Sequence, residues 1–365
     1  MNRRAMIAMS GGVDSSVAAC LMKERGFDCI GVTMKLFSNE DVGVDRNDAC
    51  CSLKDADDAR DVAYRLGIPH YVFNFSEDFK REVIRRFVEV YENGDTPNPC
   101  IDCNRYIKFD RLLSRARELE YDFVVTGHYA RIERDAGGRF LLKKALDGAK
   151  DQSYFLYSLT QEQLAHTSFP LGGLRKKEVR EIADAHGFRN AQKRESQDVC
   201  FVRDGDYAHF IEEYTGKSYE PGNFIDVSGN VIGRHRGLIR YTIGQRRGLG
   251  ISSTRRLYVC DKNTEDNTAT LGGEEMLYSK VLFAERLAWT AGSAPNGALR
   301  VRAKTGYRRP ERWATVERIV PDGLRVEFDE PQRSTGAGQA VVLYDGDVVV
   351  GGGTISRSRK DRDML

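Results

Sequence analysis

Apolar positions in the first third of the chain follow two alternating patterns. Short apolar runs at Ala5–Met9, Cys29–Met34 and Tyr71–Phe75 read as buried strands, and Phe123–Ala130 reads as a fourth. Between them apolar residues recur at helical spacing over Ser15–Gly26, Ser52–Gly67, Glu77–Glu92 and around Phe109–Leu119, with Gly26 the expected stop of the first helix. The polar stretch Ser38–Ala49 reads as a loop. Strands separated by helices of this length predict an α/β domain on a doubly wound parallel sheet with right-handed crossovers.

After Arg203 the pattern changes. One short helix, Asp206–Tyr214, precedes Gly-rich strand–turn segments, and Ser228-Gly229-Asn230 has the composition of a hairpin turn. From Lys280 to Ser356 short stretches with alternating apolar positions dominate, which predicts a small antiparallel barrel or sandwich. The expected units are a catalytic α/β domain over 1–205, a small α+β or β domain over 206–275 and a C-terminal antiparallel β-barrel over 276–365. A chain of 365 residues is long enough for two or three cores. The last nine residues read as a frayed end.

Composition narrows the class. Hydrophobic content of 41% and charged content of 30% fit a soluble globular protein, and no apolar run approaches a membrane span. The apolar run after Arg4 is too short for a secretory leader, so the expected compartment is the cytoplasm. There the eight cysteines are expected as reduced thiols or metal ligands rather than as a disulfide framework. The net charge of +2 gives no argument for nucleic acid, but local charge does. Arginines 234, 236, 240, 246, 247, 255 and 256 lie between Val227 and Cys260 with no acid among them, and a second basic stretch runs from Arg300 to Trp313. Such stretches are either solvated strand faces or contacts for phosphates.

The first chemical motif, AMSGGVDSS at Ala8–Ser16, joins the first strand to the first helix. Gly11 and Gly12 let the backbone turn tightly, and the amides that open the helix then point at an anion with the helix dipole behind them. The lysine of a Walker loop is absent. S-G-G-x-D-S in this position resembles the PP-loop of ATP pyrophosphatases, which cleave ATP to AMP and pyrophosphate. Ser10 and Ser15 have hydroxyls to offer phosphate oxygens. Asp14 would repel a bare phosphate, so its expected role is to help hold Mg²⁺. An ordinary Gly turn with Asp and Ser caps is the plain alternative.

The second motif is PNPCIDCNRYIKF, Pro97–Phe109, which reads as a Pro-punctuated loop with Cys100 and Cys103 in C-x-x-C spacing. That spacing alone fits a zinc half-site, part of an iron–sulfur site, a redox dithiol or two thiols that are merely neighbours. Cys200, in SQDVCFV, lies far away in the chain. Cys20, Cys29 and Cys260 read as core, and Cys50 and Cys51 close a loop.

Six ordered motifs, SGGVDSS, PNPC-x-x-CN-x-x-IKF, TGHYA, KDQSYFLY, SQDVCF and YTIGQRRGLG, together resemble the bacterial tRNA-specific 2-thiouridylase family of PP-loop enzymes. The resemblance covers almost the whole chain. It implies ATP-dependent adenylation of the 2-oxygen of the wobble uridine in tRNA, then replacement by sulfur to give 2-thiouridine, AMP and pyrophosphate. It further implies that Ala8, Met9, Ser10, Gly11, Gly12, Val13, Asp14, Ser15, Met34 and Gly127 line the ATP site. Cys103 corresponds to the family's nucleophile and Cys200 to the cysteine that receives sulfur as a persulfide. Asn98, Pro99 and Cys100 correspond to the segment holding the target base, and Lys150, Asp151 and Gln152 to a tRNA contact. Read without the family, Gly127 and His128 fit a strand-end turn with a surface histidine, and Lys150–Gln152 fit a cap.

Two positions depart from the family pattern. Cys100 stands where many members have an aspartate, a candidate acid or base. Gly306-Tyr307 stands where an Arg-Tyr pair is common; Tyr307 keeps a ring for stacking, and Arg308 and Arg309 offer charge for phosphates.

Three cysteines leave two uses open. A persulfide relay needs only Cys103 and Cys200, ends in a disulfide between them and leaves Cys100 a bystander. Alternatively, Cys100, Cys103 and Cys200 ligate three irons of a [4Fe–4S] cluster whose fourth iron binds sulfide. Structural zinc would want a fourth protein ligand, and no histidine lies close in the chain. The sulfur donor is a cysteine desulfurase, a persulfide relay protein or free sulfide. Two rival functions remain: another PP-loop enzyme acting on tRNA, indifferent to loss of Cys103, and a non-catalytic iron–sulfur or zinc RNA-binding protein, which would release no AMP.

Overall fold

The computed structural model describes residues 3–38, 50–193, 198–202, 205–294, 297–319 and 322–357. Most of the expected loop at Ser38–Ala49, the C-terminal end after Arg357 and the side chains of Cys50 and Cys51 lie outside the described residues.

Strands β1 (Arg4–Ala8), β2 (Asp28–Lys35), β3 (His70–Asn74), β4 (Phe123–Val125) and, later in the chain, a two-residue strand at Thr167–Ser168 form a parallel sheet. Its order is β3-β2-β1-β4 with Thr167–Ser168 at the far edge, so the winding direction reverses between β1 and β4. In such sheets ligands sit in the crevice beyond the carboxyl ends of the strands at that reversal. Side chains alternate: Ala5 and Ile7 face helices α1 (Val13–Glu24) and α2 (Cys50–Leu66), while Met6 and Ala8 face Leu112, Leu113 and Ala116. Gly26, at φ +80°, ends α1 as expected.

Helix α3 spans 76–92 through π-helical turns at Lys80–Ile84. Helix α4 spans 99–118, with a π-helical stretch over Cys103–Arg111. The cysteine segment is therefore the start of a helix rather than a loop. Pro99 sits at its first turn, where a fixed φ and a missing N–H cost nothing. The expected strand Phe123–Ala130 is also shorter than read from the sequence. It stops at Val125, and Ala130 opens β5 (Ala130–Arg134), which pairs with β6 (Phe140–Lys144) as a hairpin. Strand β7 is the edge pair Thr167–Ser168, between α5 (Gln161–Ala165) and α6 (Lys176–Ala185).

The middle of the chain holds α7 (Tyr207–Thr215), capped by the Asp206 carboxylate, and a four-stranded mixed sheet. Its strands are β8 (Gly222–Ile225), β9 (Val231–His235), β10 (Tyr258–Asn263) and β11 (Thr268–Gly272). The expected hairpin turn joins β8 to β9, where the Asp226 carboxylate accepts from the amides of Ser228 and Asn230.

The last unit is a barrel, not a sandwich. Strands β12 (Tyr278–Ala288), β13 (Leu299–Lys304), β14 (Arg312–Ile319), β15 (Gly323–Arg333), β16 (Ala340–Asp345) and β17 (Val348–Ser356) are all antiparallel, and β12 pairs with β17 to close the ring. Every second residue points inward, as with Val301 and Ala303, Ala314 and Val316, and Leu324 and Val326. The β5–β6 hairpin extends this sheet beyond β17, a pairing between distant parts of the chain that no local pattern announces.

Candidate active site

The phosphate loop hangs from β1 with its backbone toward the crevice. Ala8, Met9 and Val13 are buried and serve as its apolar floor, so they can offer a nucleotide only their main chain. Gly11 adopts φ +71°, and a Cβ there would lie 2.2 Å from the Asp55 carbonyl oxygen. The Gly11 carbonyl accepts from Asn190 Nδ2 (3.0 Å) and Lys193 Nζ (3.3 Å), and Lys193 also pairs with Asp55 and Asp58. Among the described residues no side chain caps α1, so its opening amides can receive an anion. Ser10 is exposed to that space. Ser15, expected to serve the phosphate as well, is buried and donates to the Gly12 carbonyl at 3.0 Å.

Asp14 departs furthest from expectation. Both its oxygens lie 2.8 Å from Lys176 Nζ, and Tyr129 donates its hydroxyl to Oδ1 at 2.7 Å. A carboxylate already neutralised by a lysine is a poor Mg²⁺ ligand. The donor set here does not fit the metal role, and Asp14 instead fastens α1 to the start of α6.

Gly127 follows β4 and faces the same loop. A Cβ at Gly127 would lie 2.8 Å from the Asp14 carbonyl carbon and the Ser15 nitrogen, so only glycine lets the turn pack there. The strand ends at Val125, just before this close approach. His128 is not at the surface: it is buried beside Phe109 and Phe169, and its Nδ1 lies 2.7 Å from the Thr126 hydroxyl. Burial, then the charge of Lys108, holds its pKa well below the usual histidine range, so the ring is neutral.

Met34 and Cys103 both pack on a cluster that includes Phe79, Phe87, Phe201 and Phe210. Phe201 lies next to Cys200 and meets Phe79, Phe87 and Phe210 edge-on or tilted at 5.2–5.7 Å, which fixes the Cys200 segment against the helix carrying Cys103. The three thiols of Cys100, Cys103 and Cys200 thereby come within electrostatic reach of one another. All are free, and Cys100 and Cys200 are exposed although much of the protein surrounds them. Burial is the first cause raising each pKa, pushing Cys103 to about 11 and Cys200 to about 12, with the neighbouring thiols adding to both. Lys108 opposes this at all three. Lys108 lies five residues beyond Cys103 in the same π-helical stretch, whose wider turn brings i and i+5 nearer one face than an α-helix would.

The three sulfurs do not form a single-ion site. Among the described residues the one group of three His, Cys, Asp or Glu ligand atoms within 4.8 Å of one another lies elsewhere. Zinc, at about 2.3 Å from each sulfur, needs them closer than that. A cluster puts each sulfur on a different iron and tolerates a wider triangle.

Residues 3–204 match the family model described as "tRNA methyl transferase HUP domain". Residues 208–273 match "tRNA methyl transferase PRC-barrel domain", and 279–355 match "Aminomethyltransferase beta-barrel domain". The chain is 50% identical over 359 residues to the "tRNA-specific 2-thiouridylase MnmA" of Clostridioides difficile strain 630, covering 98% of this chain and 99% of that protein. Proteins of the same name from Symbiobacterium thermophilum (50% over 361 residues, 98% and 93% covered) and Lachnoclostridium phytofermentans (48% over 354, 97% and 99%) are comparably similar. The chain belongs to the tRNA-specific 2-thiouridylase family.

Within that family frame, the segments implied to touch tRNA divide into surface and support. Pro99 is buried, Asn98 is half-buried and accepts from the Ile101 amide at 3.1 Å, and Cys100 is exposed. Lys150 is half-buried. Asp151 is turned inward, and its carboxylate accepts from the amides of Ala145 and Ser153 and from the Ser153 hydroxyl. Gln152 is likewise committed: its Oε1 accepts from the Tyr129 amide, and its own amide donates to the Tyr129 carbonyl. Asp151 thus braces the turn that follows the hairpin, and Gln152 braces the tyrosine that holds Asp14. Tyr307 lies half-buried on Phe155 at 4.6 Å, Gly306 packs against the Arg309 side chain, and Arg309 donates to the carbonyls of Arg333 and Ser334. Arg308 is the exposed member of that pair. Arg240 forms a bidentate pair with Glu212, whereas Arg246, Arg255 and Arg256 line a shallow recess of about 500 Å³.

Three residues with no role foreseen complete the site. Lys108 sits in the quoted IKF motif, but its placement depends on the π-helical turns. Asp102, between the two cysteines, is pushed up to about 6 by burial despite Arg86, Arg286 and Arg105. Gln339 of the barrel donates to the carbonyls of Thr96 and Pro97, both at 3.0 Å, and so steadies the approach to the cysteine helix.

Proposed function

We propose that this protein converts the wobble uridine of tRNA to 2-thiouridine at the expense of ATP, in the cytoplasm, where its thiols stay reduced. The observation that supports this most is the gathering of Cys100, Cys103 and Cys200, from two distant segments, around a cluster that also receives Met34 at the end of β2. The methyl transfer in the family-model descriptions has no use for three assembled thiols.

The opening amides of α1 and the Ser10 hydroxyl hold the phosphates, and Gly127 closes the loop. The uridine 2-oxygen attacks the α-phosphorus, the Pα–O–Pβ bond breaks and pyrophosphate leaves. Sulfur then attacks C2 of the adenylated base, and AMP departs with the original oxygen. The base must leave its stack to reach both centres, while exposed arginines such as Arg246 and Arg256 grip phosphates. Lys108 favours the thiolate forms throughout.

The donor set fits a [4Fe–4S] cluster held by Cys100, Cys103 and Cys200; when bound, it supplies an iron without a protein ligand on which inorganic sulfide can be held. Protein incubated anaerobically with ATP, sulfide and unmodified tRNA is expected to yield 2-thiouridine, AMP and pyrophosphate in equal amounts. Cys100→Ala is expected to lose both bound iron and thiolation. Retained activity of that variant with a persulfide donor would select the relay through Cys200 and Cys103 instead. Absence of thiolation with either sulfur source would overturn the function itself.

A further inference from the structure

Helices α1 and α6 run side by side and are tied at both ends. At the N-terminal ends Lys176 holds Asp14; at the C-terminal ends His186 meets Glu24. Cys20 lies one turn before Glu24 on the same face of α1. Its Sγ is 3.7 Å from Glu24 Oε1, and His186 Nε2 is 3.2 Å from that same oxygen. All three ligand atoms lie within 4.8 Å of one another, and no other trio of these residue types among the described residues does so.

We propose that Cys20, Glu24 and His186 form a second site, separate from the thiol site, that binds a zinc-like divalent cation with water as fourth ligand. The geometry is close to that of a bound ion. Zinc bonds of about 2.3 Å to sulfur and 2.0–2.2 Å to nitrogen and oxygen, at tetrahedral angles, put sulfur about 3.6 Å and nitrogen about 3.4 Å from the carboxylate oxygen. The donors select zinc, cobalt or a similar borderline ion over magnesium or calcium. His186 stacks on Phe188 at 5.7 Å, which fixes its ring plane. Cys20 is buried whereas Glu24 and His186 are exposed, so an ion enters from solvent and meets sulfur at the bottom. Burial, then the Glu24 charge, pushes the Cys20 thiol up to about 12. A dication beside it reverses that balance, so binding releases a proton.

The test is a Co²⁺ titration of the full chain beside His186→Ala, a surface change that leaves the core intact, with thermal melting to confirm folding. Wild type is expected to take up one more cobalt per chain than the variant. The difference spectrum should show a sulfur-to-cobalt charge-transfer band and four-coordinate visible bands, both displaced by zinc. Binding at this site should weaken by more than about 100-fold in the variant, since even outer partners of a metal ligand contribute 10- to 100-fold. Cobalt taken up anywhere else on the chain is common to both proteins and cancels. Cys20→Ser should abolish the charge-transfer band in the difference while sparing the fold. Equal stoichiometry and superimposable spectra in wild type and His186→Ala would overturn the proposal and leave the trio a hydrogen-bond chain from the thiol to Glu24.

Discussion

The phosphate loop and the thiol site are built on opposite principles. At the phosphate loop polar groups brace polar groups: Asn190 and Lys193 hold Gly11, Ser15 holds Gly12, and Lys176 with Tyr129 holds Asp14. At the thiol site the support is aromatic packing, and the sulfurs sit where burial keeps their protons on. The first is ready for an anion as it stands. The second holds thiols whose protons burial favours, with Lys108 pulling all three back toward the thiolate.

Four substitutions probe this contrast, beginning with the largest effect. Cys103→Ser is expected to lower 2-thiouridine formation on the order of a thousandfold or more while ATP binding persists, because it removes a thiol that both proposed sulfur routes require, as cluster ligand or as nucleophile, and spares the loop. Tritiated-ATP binding beside nucleoside analysis of the tRNA separates the two, and loss of both would show the ends to be one unit. Gly11→Ala should act the other way round. The positive φ and the clash with the Asp55 carbonyl cost about 3 kcal/mol or more, read as a lower melting temperature and lost ATP affinity. Third, Lys108→Met removes the cation that lowers all three thiol pKa values. Less thiolate then exists at a given pH, so alkylation should slow roughly three- to tenfold at neutral pH and its pH profile should move to higher pH. An unmoved profile would contradict the placement of Lys108. Gln339→Ala should have the smallest effect, about 1 kcal/mol of stability and a few-fold loss of rate with ATP affinity unchanged.

What could be read from the sequence follows a physical division. Strands and helices with strong apolar periodicity, such as β1, β2 and α1, fall where the pattern puts them, because one buried face is a local property. The positive-φ turn at Gly11 was equally legible from S-G-G. The failures come from contacts that periodicity cannot encode. Phe123–Ala130 reads as one strand, yet Gly127 must pack on Asp14 and the strand ends at Val125. Pro97 and Pro99 suggest a loop, but only the second position matters, and there proline opens a helix. Asp151 and Gln152 look like polar residues available to RNA; Asp151 instead folds back on the nearby Ala145 amide, and Gln152 meets Tyr129 only once the hairpin between them has formed. The distance from Cys103 to Lys108 depends on π-helical hydrogen bonding that no residue in the stretch requires.

The β5–β6 hairpin has a consequence for how the chain is made. It leaves the first sheet to join the barrel, and Arg131 finds its partner Asp347 only 216 positions later. During synthesis the hairpin therefore waits with an unpaired edge until nearly the whole chain has emerged, and pairing at such sequence separation is slow. A copy truncated before β17 would expose that edge to other chains, so premature termination should produce aggregates rather than a working N-terminal fragment. Maturation of the catalytic half is in this sense timed by the last strand.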